Sequence, residues 1–275
     1  MIKILEKIFR EVFPKRLKNY SAITAQFKNL NGLEVGGPSF AFTDKGFLPI
    51  YKVVKNLDGC NFSNTTVWEG NIISGRNYRY GNKTGIQIIA DGGDLKEISE
   101  NSYDFVLSCH SLEHMANPIK ALIEWKRIIK NNGMVLLILP HKDKTFDRNR
   151  PITSMSHLIE DYVNNTNEND CTHFDEVISL HDLSLDYGVK TLQELQERTL
   201  ENFTNRCVHQ HVFNTPLVAK MLDFAGFKIR EIQHFNPFHI IVLLQKTNKA
   251  LNNKKFLSPD YPVYHKQQFP SDKLW

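Results

Sequence analysis

The sequence predicts a doubly wound α/β fold, and three observations lead to this prediction. Short apolar segments alternate with loops and helical segments from residue 31 to residue 140, in the order that builds a mostly parallel sheet. Two of these segments, Tyr103–Cys109 and Met134–Leu139, are predominantly apolar, as parallel strands buried on both faces are. The chain then ends its regular part with a helical segment and two strands joined by a short Asn236-Pro237 link. This ending predicts an antiparallel strand at one edge.

The first half of the sheet is predicted from strand and turn signals in chain order. Asn31–Val35 is the first strand, because the turn-forming residues Gly36-Gly37-Pro38 follow it. Ile50–Leu57 and Gly85–Ala90 are the second and third strands, and Tyr103–Cys109 and Met134–Leu139 are the fourth and fifth.

One helix between the strands has clear start and stop signals. Pro118–Lys130 is predicted as a helix, in which Asn117 caps the first turn and Pro118 occupies the first helical position. Asn131-Asn132-Gly133 ends it. In the last part of the chain, Pro216–Phe224 is predicted as a helix, and Phe227–Gln233 and His239–Gln245 as strands.

The stretch between the fifth strand and the last helix differs in composition. It is polar, rich in His and Asn, and too long for an ordinary loop, so we expect it to cover a binding site. The predicted organisation is an N-terminal amphipathic helix (1–25), a core (26–140 and 212–247), a polar cap inserted between strands five and six (141–211) and a C-terminal tail (248–275).

Composition excludes several classes of protein. The 275 residues are 41% hydrophobic and 23% charged, which excludes a wholly disordered chain. No apolar run reaches the ~18–20 residues of a membrane span. The net charge of +4 and the acidic stretch Glu168–Glu176 speak against nucleic acid as a partner. The four cysteines form no CxxC pair, and the first ten residues lack a signal-peptide pattern, so a cytoplasmic location is expected.

The N-terminal segment carries an amphipathic pattern. Leu5, Ile8, Phe9 and Val12 recur at helical spacing among basic residues in residues 1–20. Such a helix packs on its own domain, or it makes a peripheral contact with a membrane surface or a partner.

The first motif with chemical meaning follows the first strand. The segment Glu34-Val35-Gly36-Gly37-Pro38-Ser39 combines an acid with small residues, which let a ligand approach the backbone closely. The spacing is not the GxGxxG of a dinucleotide-binding loop, so a dehydrogenase is disfavoured.

Three further segments complete a set of motifs. They are Asp94-Leu95 after the third strand, the block Tyr103-Asp104-Phe105-Val106 to Leu112-Glu113-His114, and the turn Arg127-Ile128-Ile129-Lys130-Asn131-Asn132-Gly133. Taken in order with the first loop, they resemble the class I S-adenosylmethionine-dependent methyltransferases over roughly residues 30–140. This resemblance implies a Rossmann-like sheet, mostly parallel with an antiparallel edge strand, and S-adenosyl-L-methionine (SAM) as cofactor.

The Glu-Val-Gly-Gly-Pro-Ser variant resembles a subgroup associated with capsular and surface polysaccharide gene clusters of the Campylobacter type. The segments Pro140-His141-Lys142-Asp143, Thr172-His173 and His209-Gln210-His211 are similar to that subgroup as well. This resemblance implies a sugar, a nucleotide sugar or a phosphorylated precursor as the methyl acceptor.

The resemblance also implies roles for residues of the cofactor site. Glu34, Gly36 and Gly37, with Pro38 beside them, would line the methionine end, and Cys109 and His110 would lie beside the cofactor. Asp94 and Leu95 would frame the adenine. For the ribose, Asp58 and Asn61 both stay open, with Glu69 as a weaker alternative.

Methyl transfer to a hydroxyl needs a base, and imidazole suits this task near neutral pH. His141 is the first choice, because it ends the fifth strand and parallel sheets bind ligands at the carboxyl ends of their strands. The full set of catalytic candidates is His141, His114, Asp170, His173 and His211. The predicted acceptor-binding residues are Asp143, Arg150, His157 and Arg206.

The segment His110-x-x-Glu113-His114 has the HxxEH spelling of a zinc peptidase, but it follows a strand rather than lying on a helix. A divalent metal held by His110, Glu113 and His114 is kept as an alternative, while we expect no metal to be required. The leading prediction is a SAM-dependent methyltransferase, with O-methylation favoured over N-methylation. The alternatives are a non-catalytic scaffold of a glycan-assembly complex and a nicotinamide-dependent sugar reductase or epimerase.

Overall fold

The computed structural model describes residues 15–273, and its centre is one eight-stranded mixed sheet. In chain order its strands are β1 (Asn31–Val35), β2 (Asn56–Asn61), β5 (Gly75–Tyr80), β6 (Lys83–Ile89), β7 (Tyr103–Cys109), β8 (Ile129–Pro140), β9 (Lys228–Phe235) and β10 (His239–Gln245). A separate two-stranded ribbon consists of β3 (Thr65–Thr66) and β4 (Gly70–Asn71).

The strand order across the sheet is β5-β6-β2-β1-β7-β8-β10-β9. The five strands from β6 to β8 are parallel, β10 runs antiparallel between β8 and β9, and β5 is antiparallel to β6. This is the Rossmann-like class I methyltransferase sheet, so the predicted fold is confirmed. Because the chain leaves β1 in one direction and returns beyond it at β7, a crevice opens at the carboxyl ends of these strands.

Seven helices of the described residues surround the sheet. They are α1 (Tyr20–Ala25), α2 (Pro118–Ile128), α3 (Met155–Val163), α4 (Phe174–Leu180), α5 (Leu192–Leu200), α6 (Asn202–Asn205) and α7 (Thr215–Phe224). Helix α2 begins as predicted, since the Asn117 side chain accepts a hydrogen bond from the Lys120 amide. On its buried face, Trp125 donates a hydrogen bond to the carbonyl of Gly92, 2.9 Å away, and so joins the helix to the loop after β6.

Each face of the sheet has its own hydrophobic core. Helices α2 and α7 pack on one face around Trp125 and Leu222. Phe27 and Phe105 meet edge to face on the other, with ring centroids 5.0 Å apart. The Phe105 ring lies so close to β1 that a Cβ on Gly32 would be 2.1 Å from it. Glycine is therefore the residue that allows this contact.

Most predicted strands agree with the structure, and one does not. The predicted strand Ile50–Leu57 is wrong, because β2 covers Asn56–Asn61. Ile50 and Val54 are apolar because they fill the core from an irregular turn. The edge strand β5 was not predicted, since its exposed Arg and Asn side chains interrupt the apolar pattern.

The predicted N-terminal helix lies mostly outside the described residues, and α1 is the helix found within the predicted range. In the described part of the chain, residues 141–211 form α3 to α6 and no strand. The segment after β10 was predicted as a polar tail, but it packs against the rest of the protein. Its residues Phe256, Tyr264 and Phe269 are buried. Among residues 15–273, no helix has the length and apolarity needed to cross a membrane.

Candidate functional site

A cavity of about 410 Å³ opens where the parallel strands end. The loops after β1, β2, β6 and β7 form its walls, and we call it the donor cavity. From these loops it is lined by Gly36, Pro38, Ser39, Asn61, Phe62, Asp91, Gly92, Cys109, His110 and Ser111. Gly36, Pro38, Asn61, Cys109 and His110 were among the predicted cofactor-binding residues, and the cavity brings these five together.

The loop after β1 requires glycine at its first position. Gly36 has a φ of +78°, in the left-handed region, and a Cβ there would lie 2.4 Å from the Ser111 hydroxyl. A Cβ on Gly37 would lie 2.3 Å from the Glu34 carboxyl carbon. Gly36 therefore allows the loops after β1 and β7 to meet at the cavity, and Gly37 allows its loop to lie directly over Glu34.

Glu34 has a different position from the one predicted. Its carboxylate is fully buried beneath the loop and does not line the cavity. It accepts hydrogen bonds from the Ser39 amide and hydroxyl and from the hydroxyls of Tyr51 and Tyr78, at 2.6–3.0 Å. Burial raises its pKa, although these donors oppose that effect. Glu34 thus holds the loop in shape rather than facing the cofactor.

The two ribose candidates are separated by the structure. Asp58 accepts hydrogen bonds from the Ile86 amide and the Tyr103 hydroxyl and does not line the donor cavity, so its prediction is corrected. Asn61 lines the cavity and donates to the Gly37 carbonyl, 3.1 Å away. Glu69 also lines the cavity, and partial burial raises its pKa.

The two residues predicted to frame the adenine, Asp94 and Leu95, do not line the donor cavity. Asp94 is half-exposed and paired with Lys96, and Leu95 is buried in the core. Asp91 and Gly92, directly after β6, line the cavity instead. The carboxylate therefore comes from the first residue of the Asp-Gly-Gly-Asp turn and not from the last.

Arg206, predicted to bind the acceptor, lies at the donor cavity. Its guanidinium is 3.4 Å from Asp91 and 2.5 Å from Glu168, and it stacks over the Phe62 ring at 5.0 Å. This cap residue thus closes the donor cavity by contacts with the core.

A second cavity, of about 840 Å³, lies beside the first and beneath the cap, and we call it the acceptor cavity. Trp68, His110 and His114 line both cavities, so the two adjoin at these side chains. The charged residues of its wall are mostly acidic. They are Glu113, Asp186, Glu194, Glu197 and Glu201, with Lys144 and Arg198 as the cations.

Three side chains meet at the acceptor cavity close to this junction, and we call them the Glu113 cluster: Glu113, His114 and His209. The Glu113 Oε1 atom is 3.9 Å from His114 Nε2 and 4.0 Å from His209 Nε2. Both histidines are held through the opposite nitrogen, since His114 Nδ1 contacts the Val208 carbonyl at 3.1 Å and His209 Nδ1 contacts Asp147 at 2.5 Å. This arrangement leaves both Nε2 lone pairs directed towards the cluster.

Burial controls protonation within the cluster. Glu113 is fully buried, and neither of its oxygens has a hydrogen-bond partner within residues 15–273. Its burial raises its pKa to about 7. Burial also lowers the pKa of His114 to about 3. His114 is therefore neutral at physiological pH and a weak proton acceptor.

Asp147 and Arg150 support His209 from behind. Burial opposes ionisation of Asp147, but His209 and Arg150 outweigh it and lower its pKa to about 2. Arg150, 1% exposed, donates to Asp147 and to the His209 carbonyl, and it pairs with Glu176. The prediction that Arg150 binds the acceptor is corrected, because its side chain is buried and lines neither cavity.

His141, the first-choice base, is also corrected. It is fully buried, its Nε2 lies 3.0 Å from Asp272, and its ring stacks on Phe269 at 3.9 Å between centroids. Asp143 accepts a hydrogen bond from the Ser271 amide, so it too faces the C-terminal segment. Neither residue lines the two cavities, because residues 269–272 cover the end of β8.

The remaining predicted residues of the cap lie elsewhere. His157, His173 and His211 form a group of their own, and none of them lines either cavity. Asp170 accepts hydrogen bonds from the amide and the hydroxyl of Thr172, and it lines neither cavity. The predictions of catalysis by His173, His211 and Asp170, and of acceptor binding by His157, are corrected on this ground.

Of the three predicted metal ligands, Glu113 and His114 lie together in the structure, whereas His110 is not part of their group. His110 Nε2 lies 2.9 Å from His239 Nδ1, and His209 takes its place beside Glu113 and His114. His209, Asp147 and Asp91 were not among the predicted site residues. His209 lies in a segment similar to the polysaccharide-cluster subgroup, and Asp91 lies just after the predicted third strand. Their sequence positions did not indicate the His209–Asp147 pair, because it joins residues 62 positions apart.

Comparison with known proteins assigns the activity. Residues 52–137 match the family model described as a methyltransferase domain. No curated protein matches the chain. Solved structures with a similar fold include a SAM-dependent methyltransferase from Aquifex aeolicus, with 13% identity over 82% of this chain and 89% of that chain and a TM-score of 0.42.

Two other solved structures are similar at the same level. A methyltransferase structure from Bacillus halodurans has 12% identity over 84% of this chain and 98% of its own, with a TM-score of 0.46. The 1,6-didemethyltoxoflavin-N1-methyltransferase of Burkholderia thailandensis, solved with S-adenosylhomocysteine, has 11% identity over 84% of this chain and 78% of its own, with a TM-score of 0.44. The domain match agrees with the strand order described above: the chain is a SAM-dependent methyltransferase, and SAM is its cofactor.

Proposed function

We propose that the protein transfers the methyl group of SAM to a hydroxyl of a small polar acceptor bound in the acceptor cavity. The observation that carries this proposal is the junction of the two cavities at Trp68, His110 and His114, with the Glu113 cluster on the acceptor side. SAM in the donor cavity would direct its methyl group towards this junction. Methyl transfer is an in-line displacement, so donor and acceptor have to meet end to end.

In this proposal His209 is the general base. The cofactor supplies an electrophilic methyl group on a sulfonium, and the acceptor oxygen loses its proton as the new bond forms. His209 Nε2 accepts that proton, while Asp147 fixes the tautomer through Nδ1 and stabilises the charged imidazole. His114 is less suited to this step, because its lowered pKa makes it a poor proton acceptor.

For the acceptor, we propose a sugar unit, free or carried on a nucleotide or phosphate. The resemblance to the polysaccharide-cluster subgroup supports it, and the acidic wall offers many acceptors for sugar hydroxyls. Lys144 is available for a phosphate, since it lines the cavity whereas Arg150 is buried. The same acidic wall favours an amine as a second candidate acceptor, because carboxylates attract a cationic group.

The Glu113 cluster also fits a divalent cation. One ligand atom from each residue lies within 4.8 Å of the others, and the Glu113 carboxylate has no hydrogen-bond donor in the described chain. Two imidazoles and one carboxylate suit Zn, Fe or Mn. Such an ion would polarise an acceptor hydroxyl. Ligation and proton transfer exclude each other at His209, since both use the Nε2 lone pair.

The test is a methyl-transfer assay with labelled SAM and a panel of sugars, nucleotide sugars, phosphosugars and amines. The variant His209→Gln is expected to lower kcat by about 10²- to 10⁴-fold with unchanged SAM affinity. His265→Gln is the matched control, because His265 is exposed and outside both cavities. Unchanged turnover in the His209 variant would remove the proposed base, and activity with amines alone would favour the second candidate. Loss of activity in EDTA, restored by a metal, would favour the ion.

A further inference from the structure

Three histidines of the cap lie together outside both cavities, and we call them the cap histidine cluster: His157, His173 and His211. His157 lies on α3, His173 directly precedes α4, and His211 lies in the segment that leads to α7. Each offers one ring nitrogen, and the three nitrogens lie within 4.8 Å of one another. The two closest, His157 Nε2 and His173 Nε2, are 3.0 Å apart.

The buried member of this cluster has a nitrogen without a partner. His211 is 1% exposed, and its Nε2 lies 3.2 Å from the Ala116 carbonyl, so Nε2 carries the proton and Nδ1 the lone pair. Nδ1 has no hydrogen-bond partner in residues 15–273. A backbone carbonyl that fixes the tautomer in this way is characteristic of metal-binding histidines.

A carboxylate lies beside the three histidines. Asp161 follows His157 by one helical turn, so both face the same side of α3. Its Oδ2 lies 3.4 Å from His157 Nε2 and 3.8 Å from His211 Nε2. That oxygen is buried and has no hydrogen-bond donor within the described chain. Buried polar atoms without partners are costly. A cation would satisfy the His211 nitrogen, and its charge would offset that of the nearby carboxylate.

We propose that His157, His173 and His211 bind a transition-metal ion, with zinc as the best fit. Three imidazoles are a zinc-type donor set, and they suit Mg²⁺ or Ca²⁺ poorly. Tetrahedral ligation at 2.0–2.1 Å places ligand nitrogens about 3.3 Å apart. The observed 3.0 Å between His157 and His173 is within a few tenths of an ångström of that spacing. A proton shared by these two rings would leave the His211 Nδ1 atom unsatisfied.

The ion would hold three segments of the cap together. It would also fix the positions of His209 and Glu113 indirectly. The backbone amide of His211 donates to the Glu113 carbonyl, 3.3 Å away, and His209 lies two residues earlier in the same segment. The ligand His211 therefore positions His209 and Glu113 without contacting a substrate. Metal binding itself does not depend on the proposed methyl acceptor or on His209 acting as a base.

The experiment uses the full chain, stripped by a chelator, reloaded with Co²⁺ or Zn²⁺ and freed of excess metal by gel filtration. Elemental analysis and the visible absorption of tetrahedral Co²⁺ report the bound ion. The wild type is expected to retain one equivalent in this site, and His157→Gln and His173→Gln are each expected to lose it. His265→Gln, an exposed histidine, and Glu113→Gln, in the other cluster, are expected to keep it.

Two outcomes would overturn the proposal: a wild type that retains no metal, or a His173 variant that retains as much as the wild type. Metal lost only in the Glu113 variant belongs to the second outcome, because it assigns the ion to the other cluster. His157 and His173 are partly exposed, so their replacement by Gln is expected to leave the fold intact. Thermal unfolding checks this independently. A chelator is expected to lower the Tm of the wild type and leave that of His173→Gln unchanged, and equal shifts would count against the site. SAM binding by calorimetry, retained in His173→Gln, separates this result from a failure of the methyltransferase site.

Discussion

Replacing Gly36 by alanine tests whether the loop after β1 forms the donor site. The new Cβ would lie 2.4 Å from the Ser111 Oγ and 2.7 Å from its Cβ, on a backbone with a φ of +78°. Gly70 offers a matched control, because its φ is +65° and a Cβ there would meet no atom within 4 Å. Gly70→Ala thus introduces the backbone strain alone, and Gly36→Ala introduces the strain and the overlap.

The magnitudes follow from these two terms. A non-glycine residue in the left-handed region costs about 1–2 kcal/mol, which is the whole effect expected on the unfolding free energy of Gly70→Ala. Overpacking against Ser111 adds about 1–3 kcal/mol for Gly36→Ala. Because Gly36 and Ser111 both line the donor cavity, relief of the overlap moves its wall. We expect SAM affinity to fall at least about tenfold, which is about 1.4 kcal/mol.

Equilibrium urea unfolding measures the first quantity, and titration calorimetry with SAM measures the second. Gly70→Ala is expected to bind SAM as the wild type does, although it is less stable. If Gly36→Ala binds SAM within twofold of Gly70→Ala, the assignment of this loop to the donor site is refuted.

Three further predictions concern buried charges. Asp147→Asn is expected to lower kcat by about 10²-fold or more at unchanged SAM affinity, because His209 loses the carboxylate that holds its tautomer; steady-state kinetics within twofold of the wild type would contradict this. His141→Ala is expected to lower the unfolding free energy by about 1–3 kcal/mol, since Asp272 loses a buried partner, while kcat stays within twofold; a large loss of kcat in a stable variant would restore His141 as a catalytic residue. Burial raises the pKa of Glu113 from 4.5 to about 7, so the folded state binds the carboxyl proton more tightly than the unfolded state does. The resulting contribution to the unfolding free energy is complete below pH 4.5 and is lost as the pH rises through 7. Between these two limits the wild type should therefore lose about 3 kcal/mol more unfolding free energy than Glu113→Gln, and parallel pH profiles in urea unfolding would disprove the shift.

The elements that sequence reasoning predicted well have local signals. The strand β7 follows from a predominantly apolar run, and the start of α2 follows from the Asn117 cap. Each signal is contained in a few consecutive residues. The second strand was misplaced because Ile50–Val54 is apolar for a tertiary reason, its packing beneath the sheet as an irregular turn. Strand β5 escaped prediction because an edge strand buries only alternate side chains.

The site was predictable in position but not in detail. Strand order alone places the ends of β1, β2, β6 and β7 at one crevice, and Gly36, Asn61 and Cys109 follow from it. Which histidine faces the cavity depends on distant contacts. His141 lies at the end of a strand, yet Asp272, 131 residues later, binds its ring and removes it from the site.

The segment 208–213 explains why the cap and the site form one unit. The Val208 carbonyl holds His114, the His209 ring binds Asp147, and the His211 amide binds the Glu113 carbonyl. The first and third contacts join the loop after β7 to the cap on both sides of the Glu113 cluster, and the second holds the His209 ring within the cap. A substitution that shifts this segment would therefore alter the proposed base, the buried carboxylate and the cap histidine cluster at once. For this reason His209→Gln and Asp147→Asn replace only the side chains of one contact and leave the backbone of the segment in place.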